Sequence, residues 1–152
     1  MSQWFEDVEP LTLKGQIKVP YTWSVGEVGS RFLTTLRDKQ RFIGNRCTSC
    51  GTVFVPPRMN CAKCFTRINE WVDLGSEGVV EAFTIVRKPS PLQPCDPPYA
   101  YALITLDGAT SGFLHIVKDS LDVLKKGVRV KAKFAAARTG TIKDIDAFTI
   151  IG

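Results

Sequence analysis

The sequence predicts a mainly β protein with a small α part, ordered as an N-terminal helical segment, a four-cysteine ribbon and a C-terminal barrel. Two observations predict this order. Four of the five cysteines form two CxxC pairs separated by ten residues, and the chain after Gly78 consists of five short runs rich in β-branched and aromatic residues. The predicted division is an arm and helix at residues 1–46, the ribbon at 47–75 and the barrel at 76–152.

Composition excludes several classes of protein. The chain is 44% hydrophobic and 23% charged, which is typical of a globular fold rather than a disordered one. No apolar run approaches the roughly 18 residues that a bilayer span requires. The first seven residues are acidic and lack the apolar segment of a signal peptide. We therefore expect a cytoplasmic protein that does not associate with membranes. The reducing cytosol disfavours disulfides, and the pairing of four of the five cysteines indicates metal binding.

The net charge of +5 raises the question of a nucleic-acid partner. Lys and Arg outnumber Asp and Glu by two in residues 1–46, by one in 47–75 and by two in 76–152, so the excess is thin everywhere. Only Lys125 to Arg138 is dense, with six basic residues and no acid. Nucleic-acid binders usually concentrate their charge, so this distribution disfavours that partner.

A helix is predicted over residues 27–38. Ser24 is a candidate cap for its start. Residues 1–20 show no periodicity and are interpreted as an extended arm whose Trp4 and Phe5 pack on another surface. The apolar residues of the predicted helix recur at helical spacing and are Val28, Phe32, Leu33 and Leu36.

The two CxxC pairs predict a metal site. A CxxC turn aims two thiolates at one point, and two such turns complete the tetrahedron that suits zinc. Gly51 follows the second cysteine, where the turn requires a positive φ. Protein ligands fill all four positions, which favours structural zinc in a rubredoxin-like ribbon over catalytic zinc; iron and a redox role remain open alternatives. The predicted ligands are Cys47, Cys50, Cys61 and Cys64.

The last part of the chain predicts a small closed barrel of the OB-fold type. Five short strands, with a small helix before the fourth, are typical of that architecture. The alternation in the second strand places Tyr99, Tyr101 and Leu103 on one face, which we expect to pack in the core. Residues 88–98 contain five prolines and predict a stiff projecting loop. The predicted strands fall within residues 79–87, 99–106, 112–117, 127–134 and 141–151.

The ordered set of motifs resembles the DUF35 family of acyl-CoA-associated zinc-ribbon and OB-fold proteins. The resemblance covers roughly residues 20–150. Beyond the cysteines, it is carried by Arg46, Gly51, Pro56-Pro57-Arg58, Trp71, Gly75, Glu77 to Val80, Phe83-Thr84, Pro98-Tyr99, Leu106 to Gly108 and Gly127 to Phe134.

This resemblance implies a non-catalytic zinc-binding subunit of an acyl-CoA thiolase complex, or of a related complex that condenses or cleaves CoA thioesters. It implies a thiolase-like catalytic subunit as the partner in a hetero-oligomer, and we expect the helix and the proline loop to dock on that subunit. It also implies CoA or acyl-CoA as a ligand at the partner interface. The N-terminal arm and His115 match no motif of the family.

Six cations are candidate contacts for CoA or for the partner. Arg58 follows a rigid Pro-Pro pair, and Arg87 and Lys88 begin the proline loop. In residues 127–134 strict alternation places three cations on one face and the apolar residues in the barrel. That face is either a solvated edge or a contact for CoA phosphates or an acidic partner surface. Its cations are Arg129, Lys131 and Lys133.

The sequence offers no convincing catalytic set. His115, the single histidine, shares a strand face with Phe113, and no partner nucleophile is evident. Cys95 is interpreted as an ordinary thiol in a loop that touches a partner. The alternative function is single-stranded nucleic-acid binding, because OB-type barrels stack bases on exposed aromatic side chains. The candidate stacking residues are Phe83, Tyr99, Tyr101 and Phe113.

Overall fold

The computed structural model describes Thr12, Gly15 and residues 19–151, so the predicted arm with Trp4 and Phe5 lies outside the described residues. Within the described part of the chain, no helix is both long and apolar enough to cross a bilayer. The elements are α1 (Gly26–Lys39), β1 (Phe42–Arg46), β2 (Val53–Phe54), β3 (Glu70–Leu74), β4 (Glu77–Val86), β5 (Tyr99–Leu106), β6 (Gly112–Val117), β7 (Arg129–Phe134) and β8 (Ile145–Ile150). Short 3₁₀ turns cover Leu121–Val123 and Ile142–Asp144.

The strands form two sheets. The first has the antiparallel order β2-β1-β3, and the second is a closed barrel in the order β4-β5-β6-β8-β7. The barrel closes where β4 pairs with β7, opposite its pairing with β5. The predicted fold class, mainly β with one helix, a four-cysteine ribbon and a five-stranded barrel, is therefore confirmed. Strand β1 precedes residue 47 yet pairs within the ribbon sheet, and the three-part division of the chain stays a prediction.

One hydrophobic core joins the ribbon to the barrel. Phe42, on the strand that leads to the first cysteine pair, is fully buried. Its ring lies 5.8 Å from that of Phe113 and 6.2 Å from that of Phe148, both of which belong to the barrel. The helix adds Phe32 and Leu36 to the same core. Because these contacts bury one continuous apolar cluster, the ribbon is held at a defined place against the barrel.

The prediction for Tyr99, Tyr101 and Leu103 is wrong in one respect. Their face of β5 points away from the barrel interior: Leu103 is 39% exposed, and Tyr99 is buried in a separate cluster with Ile116 and Ala147. The phenylalanine rings already fill the interior, which leaves space only for smaller side chains on the inner face of the strand. The inner face carries Ala100, Ala102, Ile104 and Leu106.

Tyr99 supports a first prediction. Its hydroxyl is buried without a hydrogen-bond partner among the described residues, and burial raises the pKa of Tyr99 to about 12. Removal of an unsatisfied buried hydroxyl costs little, so Tyr99→Phe is expected to leave the free energy of unfolding unchanged or to raise it by about 1 kcal/mol. Urea unfolding measures this change. A loss of more than about 1 kcal/mol would show that the hydroxyl has a partner.

Candidate metal centre

The four predicted ligands lie on two turns with the same backbone hydrogen bonds. In the first knuckle, residues 47–52, the Gly51 amide donates to the Cys47 carbonyl over 2.8 Å. In the second knuckle, residues 61–66, the Phe65 amide donates to the Cys61 carbonyl over 2.9 Å. The two knuckles thus repeat one local design and present their cysteines in equivalent ways.

Both knuckles turn at a residue in the left-handed region. Gly51 has φ of +72°, which confirms the prediction made for this position. Phe65 occupies the equivalent position in the second knuckle with φ of +57°. The left-handed conformation costs a residue with a side chain on the order of 1 kcal/mol. The second knuckle therefore carries a backbone cost that the first avoids.

The four sulfur atoms converge as the spacing predicts. All four Sγ atoms lie within 4.8 Å of one another, and those of Cys50 and Cys61 are 3.7 Å apart. Four sulfurs about 2.3 Å from a central zinc ion are separated by about 3.8 Å, so this group fits a tetrahedral ion. The backbone amides of Lys63 and Cys64 also approach the Cys61 sulfur, at 3.4 and 3.5 Å. The four cysteines are positioned to bind a metal.

The electrostatics of the group favour a cation at its centre. A hydrogen bond from the Thr66 hydroxyl lowers the pKa of Cys47 to about 6. The neighbouring Cys50 instead raises the pKa of Cys64 to about 12. Thiolates this close to one another repel, so they cannot all ionise on their own. A divalent cation among them offsets the repulsion and allows all four sulfurs to act as thiolates.

Asn45 supports the ribbon and was not singled out by the sequence analysis. It is fully buried; its Nδ2 donates to the Arg58 carbonyl over 2.6 Å, and its Oδ1 accepts from the Arg58 amide over 3.1 Å. This pair of bonds holds the segment that returns the chain from the first knuckle to the second. The available signal was one amide side chain between the apolar start of the strand and Arg46, two residues before Cys47.

Asn45→Ala is expected to lower the free energy of unfolding of the metal-loaded protein by about 2–3 kcal/mol, because it removes both hydrogen bonds of a fully buried side chain and leaves a cavity in its place. Urea unfolding at fixed metal concentration measures the loss. Asn45→Asp is the matched variant: it keeps the shape but replaces the donor facing the Arg58 carbonyl with an oxygen, so we expect an equal or larger loss. Unchanged stability in both variants would contradict the structural role of Asn45.

Comparison with known proteins agrees with this geometry. Residues 35–70 match the family model described as the ChsH2 rubredoxin-like zinc ribbon domain, and residues 71–135 match that of the ChsH2 C-terminal OB-fold domain. A "DUF35 domain-containing scaffold protein" of Methanocaldococcus jannaschii is 29% identical over 100 residues, which cover 65% of this chain and 71% of that protein. This chain belongs to the DUF35 family. A DUF35 scaffold protein of Methanothermobacter thermautotrophicus is 25% identical over 96 residues, which cover 62% of this chain and 72% of that protein.

Solved DUF35 structures share the fold. A DUF35 protein of unknown function from Sulfolobus solfataricus superposes with a TM-score of 0.61 at 25% identity, covering 82% of this chain and 84% of that one. A chain of the Ltp2-ChsH2(DUF35) aldolase superposes with a TM-score of 0.61 at 18% identity, covering 85% of this chain and 97% of that one. At this low identity, the second likeness concerns the fold alone.

The candidate cations on β7 of this DUF35 protein are partly neutralised. Arg129 donates to both carboxylate oxygens of Asp107 over 2.7 Å and to Glu77 over 3.2 Å. Lys131 donates to the other oxygen of Glu77 over 3.1 Å. These cations hold the pKa values of both carboxyl groups below their usual range. Of the three, only Lys133 has no ion pair within the described residues, so little charge on this strand remains for a phosphate.

The other candidate cations lie apart from that cluster in the fold. Arg58 is exposed on the ribbon, where its guanidinium group lies 5.3 Å from the centre of the Phe54 ring. Arg87 and Lys88 are exposed where the proline loop leaves β4. The structure therefore joins Arg129 and Lys131 through Glu77, and leaves a role in CoA binding as a prediction for all six cations.

His115 and Cys95 are placed without a catalytic partner among the described residues. His115 stacks on Phe113 with ring centres 5.7 Å apart and planes 7° apart, as expected from their shared strand face. Cys95 is half-buried against the cluster that contains Tyr99 and Tyr101. No side-chain hydrogen bond links either residue to a described nucleophile or base.

Proposed function

We propose that this chain is a non-catalytic, zinc-binding subunit of a cytoplasmic thiolase-type enzyme or a related enzyme that condenses or cleaves CoA thioesters. It docks on the catalytic subunit and contributes to the CoA-thioester site. The scaffold description of the archaeal relatives and the pairing of a DUF35 chain with Ltp2 in an aldolase support a partnered role. The ion, when bound, supplies a structural crosslink between the two knuckles.

The observation that carries the proposal is Phe65. This side chain is 84% exposed and its backbone is left-handed, so the residue is unfavourable to the isolated chain in two ways. Gly51 shows that the same turn forms without a side chain. A large aromatic residue at such a position is explained by a contact made outside the chain, and aromatic residues are enriched at the centres of protein interfaces.

Other exposed apolar side chains extend this interpretation. Tyr21 and Trp23, just before the helix, are 75% and 70% exposed, and Leu92 in the proline loop is 95% exposed. They lie near the helix and in the proline loop, the two regions that the sequence analysis predicts for docking. Apolar anchors on three segments are consistent with a stable protein partner.

The decisive experiment separates stability from partner binding with one substitution. Phe65→Gly relieves the left-handed cost, so the isolated, metal-loaded protein is expected to become more stable by about 1 kcal/mol. Its affinity for the catalytic subunit is expected to fall about tenfold or more, as for a central aromatic contact. Val123→Ala is the control, since Val123 is also exposed but lies in the 3₁₀ turn before β7.

The partner is first obtained by affinity purification of the tagged chain from its native cells, followed by mass spectrometry. The expected result is a thiolase-type acyl-CoA enzyme whose thioester turnover falls when this chain is removed. Titration calorimetry with both purified subunits then measures the effect of Phe65→Gly. A chain that purifies alone, or a partner that binds Phe65→Gly and the native chain equally, would overturn the proposal.

The nucleic-acid alternative finds less support. Tyr99 and Phe113, two of the four candidate stacking residues, are buried and cannot receive a base without rearrangement. Arg129 and Lys131 are paired with carboxylates. A gel shift with single-stranded DNA at low salt tests the alternative directly. A salt-sensitive shift from a chain that purifies without an enzyme would favour it.

A further inference from the structure

A cavity of about 360 Å³ opens on the outside of the barrel, away from the metal centre. Its lining is mostly apolar surface, and its aliphatic side chains are Leu114, Ile116, Ile142 and Ile145. Leu114 is 64% exposed and Ile142 is 42% exposed, so both present apolar surface to the solvent at the cavity mouth. Small-molecule sites are typically apolar concavities of this size with a few placed polar groups.

The cavity lies on the face that OB-fold barrels use for binding. Strands β5 and β6 are the second and third strands of the barrel and provide Tyr101 and Leu114. The loop between the first two barrel strands provides Pro94, and the loop between the last two provides Ile142. In OB folds, the face of these two strands and these two loops bind oligonucleotides and oligosaccharides. The position of the cavity is therefore independent support for a binding role.

One polar side chain, His115, forms part of the cavity wall. His115 lines the cavity, and its Nδ1 is buried without a hydrogen-bond partner among the described residues. Burial lowers the pKa of His115, which leaves the imidazole uncharged near neutral pH. The Nδ1 atom itself is closed off from the cavity, so it is the uncharged imidazole ring that forms part of the wall.

The charged side chains at the cavity mouth indicate the charge of the ligand. Lys118 and Asp146 line the cavity and neutralise each other through an ion pair of 2.8 Å. Lys143 also lines the cavity, is exposed, and forms no ion pair with any described residue. The mouth therefore carries one surplus positive charge. A single surplus cation beside aliphatic walls matches one anionic group on an apolar body better than a polyanionic nucleic acid.

We propose that this cavity binds a small monocarboxylate with an aliphatic or aromatic body. The apolar body covers Leu114 and Ile142 and contacts the imidazole ring of His115, and the carboxylate meets Lys143. The site lies on the barrel of this chain alone. Binding at this site requires no catalytic subunit, so its test is independent of the proposed enzyme complex.

The single histidine provides a direct probe. Octanoate is titrated into the tag-free, metal-loaded chain while the imidazole Cε1–H resonance is followed by NMR. A saturable shift is expected, with a dissociation constant on the order of 1 mM, as befits a ligand of this size. Octanamide, which has the same shape without the charge, is expected to bind several-fold more weakly.

Two variants and a control complete the test. Leu114→Glu places a carboxylate at the apolar mouth and is expected to abolish the shift. Lys143→Ala is expected to bind octanoate and octanamide equally. Val123→Glu introduces the same charge at an exposed apolar residue outside the cavity and is expected to bind octanoate like the native chain.

Three results would overturn the proposal. The first is the absence of a saturable shift up to about 20 mM octanoate, well beyond the affinity expected for a ligand of this size. The second is equal binding of octanamide and octanoate by the native chain, which would show that the cavity does not select a ligand with a negative charge. The third is equal loss of binding in Leu114→Glu and Val123→Glu, which would place the effect outside the cavity.

Discussion

Cys61→Ser is expected to abolish metal binding and to unfold the ribbon between the two knuckles. The side chain is 1% exposed, and its sulfur lies within 4.8 Å of the other three. A structural zinc ion contributes on the order of 10 kcal/mol to small modules at neutral pH. This exceeds or equals the whole stability of many domains, roughly 5–15 kcal/mol. Cys61→Ser, which removes a ligand of the ion, is therefore expected to lower the stability of the protein more than any other single substitution.

The measurement has two parts. Elemental analysis gives the metal content per chain, and limited proteolysis reports whether residues 47–74 become accessible. Cys95→Ser is the control, because Cys95 lies outside the four-cysteine group and is expected to retain the full metal content. If Cys61→Ser kept a full complement of metal and resisted the protease like the native chain, the ribbon would not depend on the ion.

Gly78→Ala is expected to destabilise the barrel by about 3 kcal/mol or more, an effect typical of overpacking against backbone atoms. A Cβ at residue 78 would lie 2.5 Å from the Thr105 carbonyl oxygen and 2.9 Å from the Leu106 Cα. Strand β4 pairs on both sides at this residue, with Leu106 and with Val130, so it cannot move away without breaking one pairing.

Gly75→Ala is the matched control. A Cβ there would meet its nearest neighbour, the Asp107 Cβ, at 3.5 Å, which is an ordinary van der Waals contact. Urea unfolding of both metal-loaded variants is expected to show a large loss for Gly78→Ala and a change within about 0.5 kcal/mol for Gly75→Ala. Equal stability of the two variants would contradict the close approach of β4 and β5.

Local patterns explain why much of the fold was predictable. The spacing of the cysteines reflects the geometry of two short turns, and the alternation in β7 reflects the period of a single strand. Helical spacing of apolar residues likewise depends on one segment, and the helix at Gly26–Lys39 covers the predicted range. Each of these signals comes from residues close together in the chain.

The features that sequence reasoning missed all depend on long-range pairing. Alternation alone does not say which face of β5 enters the barrel; Phe42, from a strand far earlier in the chain, occupies interior space and favours the alanine face. Similarly, the cations of β7 are on the predicted face, but Glu77 and Asp107 reach them from other parts of the barrel. The bonds from Asn45 to Arg58 are another example.

The most direct test of the account is X-ray absorption spectroscopy of the freshly purified, fully reduced protein at the zinc edge, with elemental analysis of the same sample. The account predicts one zinc ion per chain with four sulfur neighbours at about 2.3 Å. A folded protein without metal, or an ion with oxygen or nitrogen among its nearest neighbours, would contradict it.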